Sequence, residues 1–312
     1  MSVEALQQRW DYPPLQRVLQ GEITKHGTWD EQVPDYAEDL ALIRLQILER
    51  QERYQEYLYL AQAEGQTERY LTMLANLGRI EEAMLAAKTQ MQSMDTAFAL
   101  AQTLQQQGAN TQALEIAQTG LSLQGNCEYE LAIWTSNLAE GLDDNTVALA
   151  ARVQAFIAQP KFGDYRLAQH LAGNDWGEIK KDLLASLRQH TGWGIQETKV
   201  DIFLEEELID DAIATVSDLS YYQETLVRRV MEKAISTRPD WVIENATSRA
   251  ESIMDRGKAE AYDSAVGWLK LVRAGYKESE RQSQWSEYRR KLMKIHARKY
   301  KLMAMLKAKD LD

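Results

Sequence analysis

The residues able to do chemistry in this chain are few and scattered. Its four histidines, His26, His170, His190 and His296, include no pair at i and i+4, so no helix can turn two imidazoles toward one metal ion. A single cysteine, Cys127, excludes a disulfide within the chain and a cysteine-cluster zinc site. Cys127 follows Gly125 and Asn126 at an expected helix start, where a thiol pKa can be lowered. No histidine or other base is near it in sequence, and a plain helix-start residue is the simpler reading. Carboxylates gather once, at Glu205, Glu206, Glu207, Asp210 and Asp211. Glu207 and Asp211 on one helix face would suit a hard cation. However, these residues flank a turn, and carboxylates at a helix start are favoured by the positive end of its dipole, so a solvated turn is the simpler reading. There is no phosphate loop, no Gly-x-Gly-x-x-Gly and no Gly-x-Ser-x-Gly. No catalytic residue, metal or cofactor is expected.

Charge is the uneven property. The chain of 312 residues carries a net charge of −11, yet between Tyr288 and Lys309 there are nine Lys or Arg and no Asp or Glu. That segment holds about +9 and the rest about −20. Arg289, Arg290, Lys291, Lys294, Arg298, Lys299 and Lys301 are therefore the candidate surface for nucleic acid or an acidic partner. The competing reading is that this tail docks on acidic helices of its own molecule or keeps a last helix soluble. Arg290 and His296 also fit a loose Arg-x-x-x-x-x-His spacing that resembles the motif of HEPN-type ribonucleases. A helix this rich in Arg supplies that spacing by chance.

The elements that must position these residues read as helices. Apolar residues recur at three- and four-residue spacings, as in Tyr54, Tyr57, Leu58 and Ala61, and Gly78 separates one such run from the next at Ile80. The run from Lys199 to Leu204 fits a strand alone, but Glu205 to Glu207 after it favours a helix. Stop-and-restart points align: Gly78 with Ala83, Gly108 with Ala113, Leu142 with Val147, Glu207 with Ala212, and a weaker copy ending at Ile179. The spacing is near the 34 residues of tetratricopeptide-type helix–turn–helix units. The expected fold is all-α, a superhelical α-solenoid of divergent tetratricopeptide-like repeats over 37–236, with an N-terminal cap or linker over 1–36. Residues 237–312 are expected to form a helical C-terminal cap ending in one long basic helix, Glu278 to Leu306. Trp241, Trp268 and Trp285 read mainly as inter-helix filler, with a partner groove as the alternative. No apolar run reaches the roughly 18 residues of a membrane span and no signal-peptide pattern opens the chain, which points to a cytoplasmic protein.

One stretch is more specific. Glu52-Arg-Tyr-Gln-Glu-Tyr57, Val200-Asp-Ile-Phe-Leu204, Arg238-Pro-Asp-Trp-Val-Ile243 and Ile253-Met-Asp-Arg-Gly-Lys258 follow one another in order. Together with Arg298-Lys-Tyr-Lys-Leu302 they resemble the C-terminal helical region of bacterial, particularly cyanobacterial, SWIM zinc-finger proteins. The finger needs a Cys-x-Cys and Cys-x-His set, which a chain with one cysteine lacks, so its zinc is not implied. The resemblance implies the helical scaffold alone, as a stand-alone relative or a separate C-terminal half. It also implies a protein partner of the Swi/Snf-helicase or SWIM-finger kind, and hence DNA-associated work. The leading expectation is a non-enzymatic protein–protein interaction scaffold. The alternative is a nucleic-acid-binding module using the basic end, and a distant third is a ribonuclease on Arg290 and His296.

Overall fold

The structure, a computed structural model, describes residues 9–24, 27–29, 33–192, 194–217, 219 and 223–307. His26 and Lys309 lie outside the described residues. Every regular element among the described residues is helical, apart from an isolated bridge between Ser93 and Gln124. The chain forms two compact units, Met1–Leu183 and Leu184–Asp312.

In the first unit α1 (Pro13–Leu19) and α2 (Ala37–Arg50) are followed by α3 (Tyr54–Ala63), α4 (Thr67–Asn76) and α5 (Ile80–Gln90). Then come α6 (Met94–Gln106), α7 (Asn110–Gly120), α8 (Glu128–Gly141), α9 (Asn145–Ala158) and α10 (Phe162–Ala172). Helix α11 (Trp176–Gln189) contains the division between the units. The second unit continues with α12 (Gln196–Glu205), α13 (Ile209–Ser217), α14 (Glu224–Ala234), α15 (Pro239–Asp255) and α16 (Tyr262–Glu278). It ends with α17 (Gln282–Ile295) and α18 (Tyr300–Leu306). The run at Lys199 to Leu204 is helical, as expected from the acids that follow it.

One turn geometry recurs. Gly78 adopts φ +73°, its N–H donates to Ala75 O, and the N–H of Arg79 reaches back to Leu74 O at 2.9 Å. Two otherwise orphaned carbonyls at the end of α4 are thereby satisfied, and the next helix starts at once. Gly108 repeats this geometry, with Ala109 N donating to Leu104 O at 2.9 Å. Five residues past the left-handed position lies a side chain with no exposure: Ala83, Ala113 and, after Glu207, Ala212. Small residues there let consecutive helices approach closely.

In the third copy the expected frame is one residue early. Asp143, not Leu142, takes the left-handed conformation (φ 60°), and Ala148, not Val147, is fully buried. The cause is Asp144, whose Oδ1 accepts from the N–H of Val147 at 3.1 Å and so fixes the helix start. The weaker copy departs further: Gly173 leads into a short 3-10 turn and Ile179 stays half-buried. The same turn also occurs at Glu52 and Glu280, with Tyr57 and Trp285 buried five residues on. Left-handed backbone costs a non-glycine residue about 1 kcal/mol. Its recurrence at four acidic positions shows that the flanking helices dictate it.

A continuous apolar cluster runs through the first unit from Leu15 to Ala148. Trp268, 1% exposed, anchors the second unit beneath the guanidinium groups of Arg228 and Arg249, and Trp285 is 4% exposed. Both therefore fill space between helices. The long basic helix expected from Glu278 to Leu306 is instead broken twice. Glu280 turns left-handed ahead of α17, and His296 leaves the helix at φ −100°, ψ 21°. The second break folds the chain back so that Leu302 and Leu306 are buried, which relieves the repulsion of like charges along one helix.

Candidate functional site

The basic end forms the helical hairpin α17–α18, held down by Trp285, Leu292, Leu302 and Leu306. Its seven candidate cations divide into two groups. Lys299 Nζ donates to Met254 O at 2.6 Å, supplying a partner to a carbonyl in the last turn of α15. Arg289 Nε donates to Leu306 O at 2.9 Å at the end of α18. Lys301 Nζ donates to Ala259 O and stands 3.5 Å from Asp263. Beside them Tyr288 donates its hydroxyl to Glu251 at 3.0 Å; burial and that carboxylate push the phenol pKa far up. Lys301 thus meets an acidic residue, while Lys299 and Arg289 donate to backbone carbonyls, and all three are drawn into the fold.

The other group points outward. Arg290, Lys291, Lys294 and Arg298 are exposed, and none is paired with a carboxylate among the described residues. Among the described residues Arg290 donates only to Ser286 O, one turn back. Ile295 and Tyr300, 60% and 85% exposed, lie within the same stretch of chain.

Arg290 and His296 are not brought together. Arg290 faces solvent, whereas His296 is buried, its Nε2 3.9 Å from Asp255. Burial, reinforced by Lys299, lowers the His296 pKa despite Asp255 and Glu251. The acidic cluster is likewise dispersed. Asp211 is held bidentately by Arg188 and Asp210 by Arg238, while Glu207 sits in the turn before α13 rather than on its face. Asp211 is partly enclosed by its arginine, whereas Asp210 is paired but still 72% exposed, as a solvated turn would have it. No group of three or more potential metal ligands occurs among the described residues. Cys127 does precede α8, but burial and Asp95 push its thiol up to about 11, the opposite of activation. His170 is exposed in the last turn of α10.

Two features of the first unit escaped the sequence reading. The first is a sealed polar network joining α8, α9 and α10. Arg152, 3% exposed, donates to Asp164 Oδ1 (2.9 Å), Ser136 Oγ (3.1 Å) and Asn137 Oδ1 (2.6 Å). Asp164 Oδ2 accepts from Tyr129 at 2.9 Å, and Lys161 lies over the Tyr129 ring at 3.8 Å. Satisfied from all sides, this pair holds three helices in one register.

The second is an open groove of about 310 Å³ among α6, α7 and α8, lined by Gln105, Asn110, Trp134, Leu138, Leu142 and Asn137, the last also bound by Arg152. Trp134 rests edge-on against Phe98, with ring centroids 5.9 Å apart. The groove lies within the 63 residues 89–151, which contain no Lys, Arg or His and seven carboxylates. That absence was the readable signal, overlooked beside the concentration of charge at the basic end.

The chain matches no protein-family model and no curated protein. Among the described residues, no helix is long and apolar enough to cross a membrane.

Proposed function

We propose that this chain is a non-enzymatic scaffold, a superhelical solenoid of tetratricopeptide-like hairpins that binds a protein partner. The observation that carries this reading is the recurrent left-handed turn with a buried residue five places on, at Gly78, Gly108, Asp143 and Glu207. Such a turn makes helix pairs that each need a neighbour to cover their apolar side, and stacks of pairs expose long grooves. The resemblance to the helical region of SWIM proteins supports a partner among DNA-associated proteins, a Swi/Snf-type helicase being the concrete candidate. Affinity purification of the tagged full chain from its native cells, with and without nuclease, tests this. A stoichiometric protein that survives nuclease supports the scaffold; loss of all protein with nuclease contradicts it.

A second reading has its own support. Arg290, Lys291, Lys294 and Arg298 face solvent on the same hairpin as the exposed ring of Tyr300, and cations with an exposed aromatic ring suit phosphates and stacked bases. Replacing the four cations by Gln is expected to abolish binding of single-stranded oligonucleotides. Should residual binding persist, its salt slope is expected to fall by about 3. Unchanged affinity removes the hairpin as a nucleic-acid site.

A further inference from the structure

The groove among α6, α7 and α8 has a chemistry of its own. Its walls combine an indole, the carboxamides of Gln105 and Asn110, and the apolar side chains of Leu138 and Leu142, the last 37% exposed. The charge beside it is net acidic, because Arg152, which donates to Asn137 in its wall, is neutralised by Asp164. Glu140, Asp143 and Asp144 adjoin it in sequence, and no Lys or Arg occurs between Lys88 and Arg152. None of the seven carboxylates of this stretch is ion-paired among the described residues. Unpaired carboxylates flanking Gly141 and Leu142 at the rim, with an aromatic ring in the wall, favour a cationic ligand and disfavour an acidic or phosphate-bearing one. Carboxamides suit the alternating N–H and C=O groups of an extended backbone.

We propose that this groove takes a basic, extended peptide segment of the partner, with an Arg or Lys side chain seated on Trp134. The inference rests on the scaffold reading and names the chemistry of what is bound. It sets the groove apart from the basic hairpin, whose ligands carry the opposite charge.

The test is fluorescence anisotropy of the full chain with labelled twelve-residue peptides of alternating Arg–Ser, Gln–Ser and Glu–Ser. The Arg–Ser peptide is expected to bind, with affinity falling as salt is raised and the Glu–Ser peptide excluded. Gln105→Arg and Glu140→Lys, both at exposed positions, are each expected to weaken binding about tenfold. Trp134→Leu, checked for an unchanged helical melting curve, is expected to do the same. Equal affinity for all three peptides, or no loss in the variants, overturns the proposal. So does self-association in sedimentation that Glu140→Lys abolishes, because a second copy then fills the groove. If the peptides fail while a nuclease-resistant partner is still recovered and cross-links elsewhere, the groove assignment falls and the scaffold stands. If no partner is recovered either, both fall.

Discussion

Residues 89–151 and residues 288–307 hold charge in opposite ways. The first stretch has carboxylates and no cations, and its seven acids form no ion pair among the described residues, Asp144 capping a helix and Glu128 accepting from Gln154. The second has cations and no carboxylates, yet Arg289, Lys299 and Lys301 turn back to satisfy carbonyls at the ends of α18, α15 and the turn before α16. Net charge therefore overstates the basic end as a binding surface, and it hides the acidic stretch altogether. Charge contributes to binding where the fold leaves it without a partner. Just past the acidic stretch, Arg152 and Asp164 mark the opposite extreme, a pair sealed from water.

The largest expected effect breaks that sealed pair. Asp164→Ala strands Arg152 in a buried site, and urea denaturation is expected to show a loss of about 3–5 kcal/mol. Replacing both partners by Leu and Met is expected to cost far less, because no charge is then stranded. A second cost like the first would mean that the network, rather than its charges, holds the helices. A smaller effect separates the two classes of cation on the basic hairpin. Lys299→Met is expected to cost about 1 kcal/mol, because the Met254 carbonyl loses one of its two donors and keeps the N–H of Gly257. Lys294→Met is expected to stay within about 0.5 kcal/mol.

The pH dependence sharpens the same contrast. His296 has its folded pKa lowered, so below about pH 6.5 the unfolded chain binds a proton that the folded chain refuses. Its contribution to stability is full above that pH and is lost as pH falls toward the lowered folded value, by at most about 1.4 kcal/mol per pH unit. Stability measured between pH 7.5 and 5.5 is expected to fall in the parent and to flatten in His296→Gln. An unchanged slope would show that the imidazole is not the group responsible.

The legible part of the fold was whatever local sequence dictates. Gly78 and Gly108 announce turns because only glycine takes the left-handed backbone without cost, and Ala83 and Ala113 follow at fixed distance. Asp143, Glu207 and Glu280 take that conformation under tertiary constraint, which no propensity reveals, so the third copy was framed one residue early. The break at His296 was hidden for the same reason. A continuous helix satisfies its local residues, and only burial of Leu302 and Leu306 favours folding back. At the candidate site, charge predicted which residues are basic but not which face solvent. The Arg152–Asp164 pair, twelve residues apart on different helices, leaves no periodic trace in the sequence.

The most direct measurement isolates the tagged full chain from nuclease-treated native extract in three forms. These are the parent, Gln105→Arg with Glu140→Lys, and the four-fold Gln variant at Arg290, Lys291, Lys294 and Arg298. The account predicts that one stoichiometric protein partner is recovered with the parent and with the hairpin variant, and is lost with the groove variant. Recovery that depends on the hairpin and not on the groove, or that disappears with nuclease in all three, would contradict it.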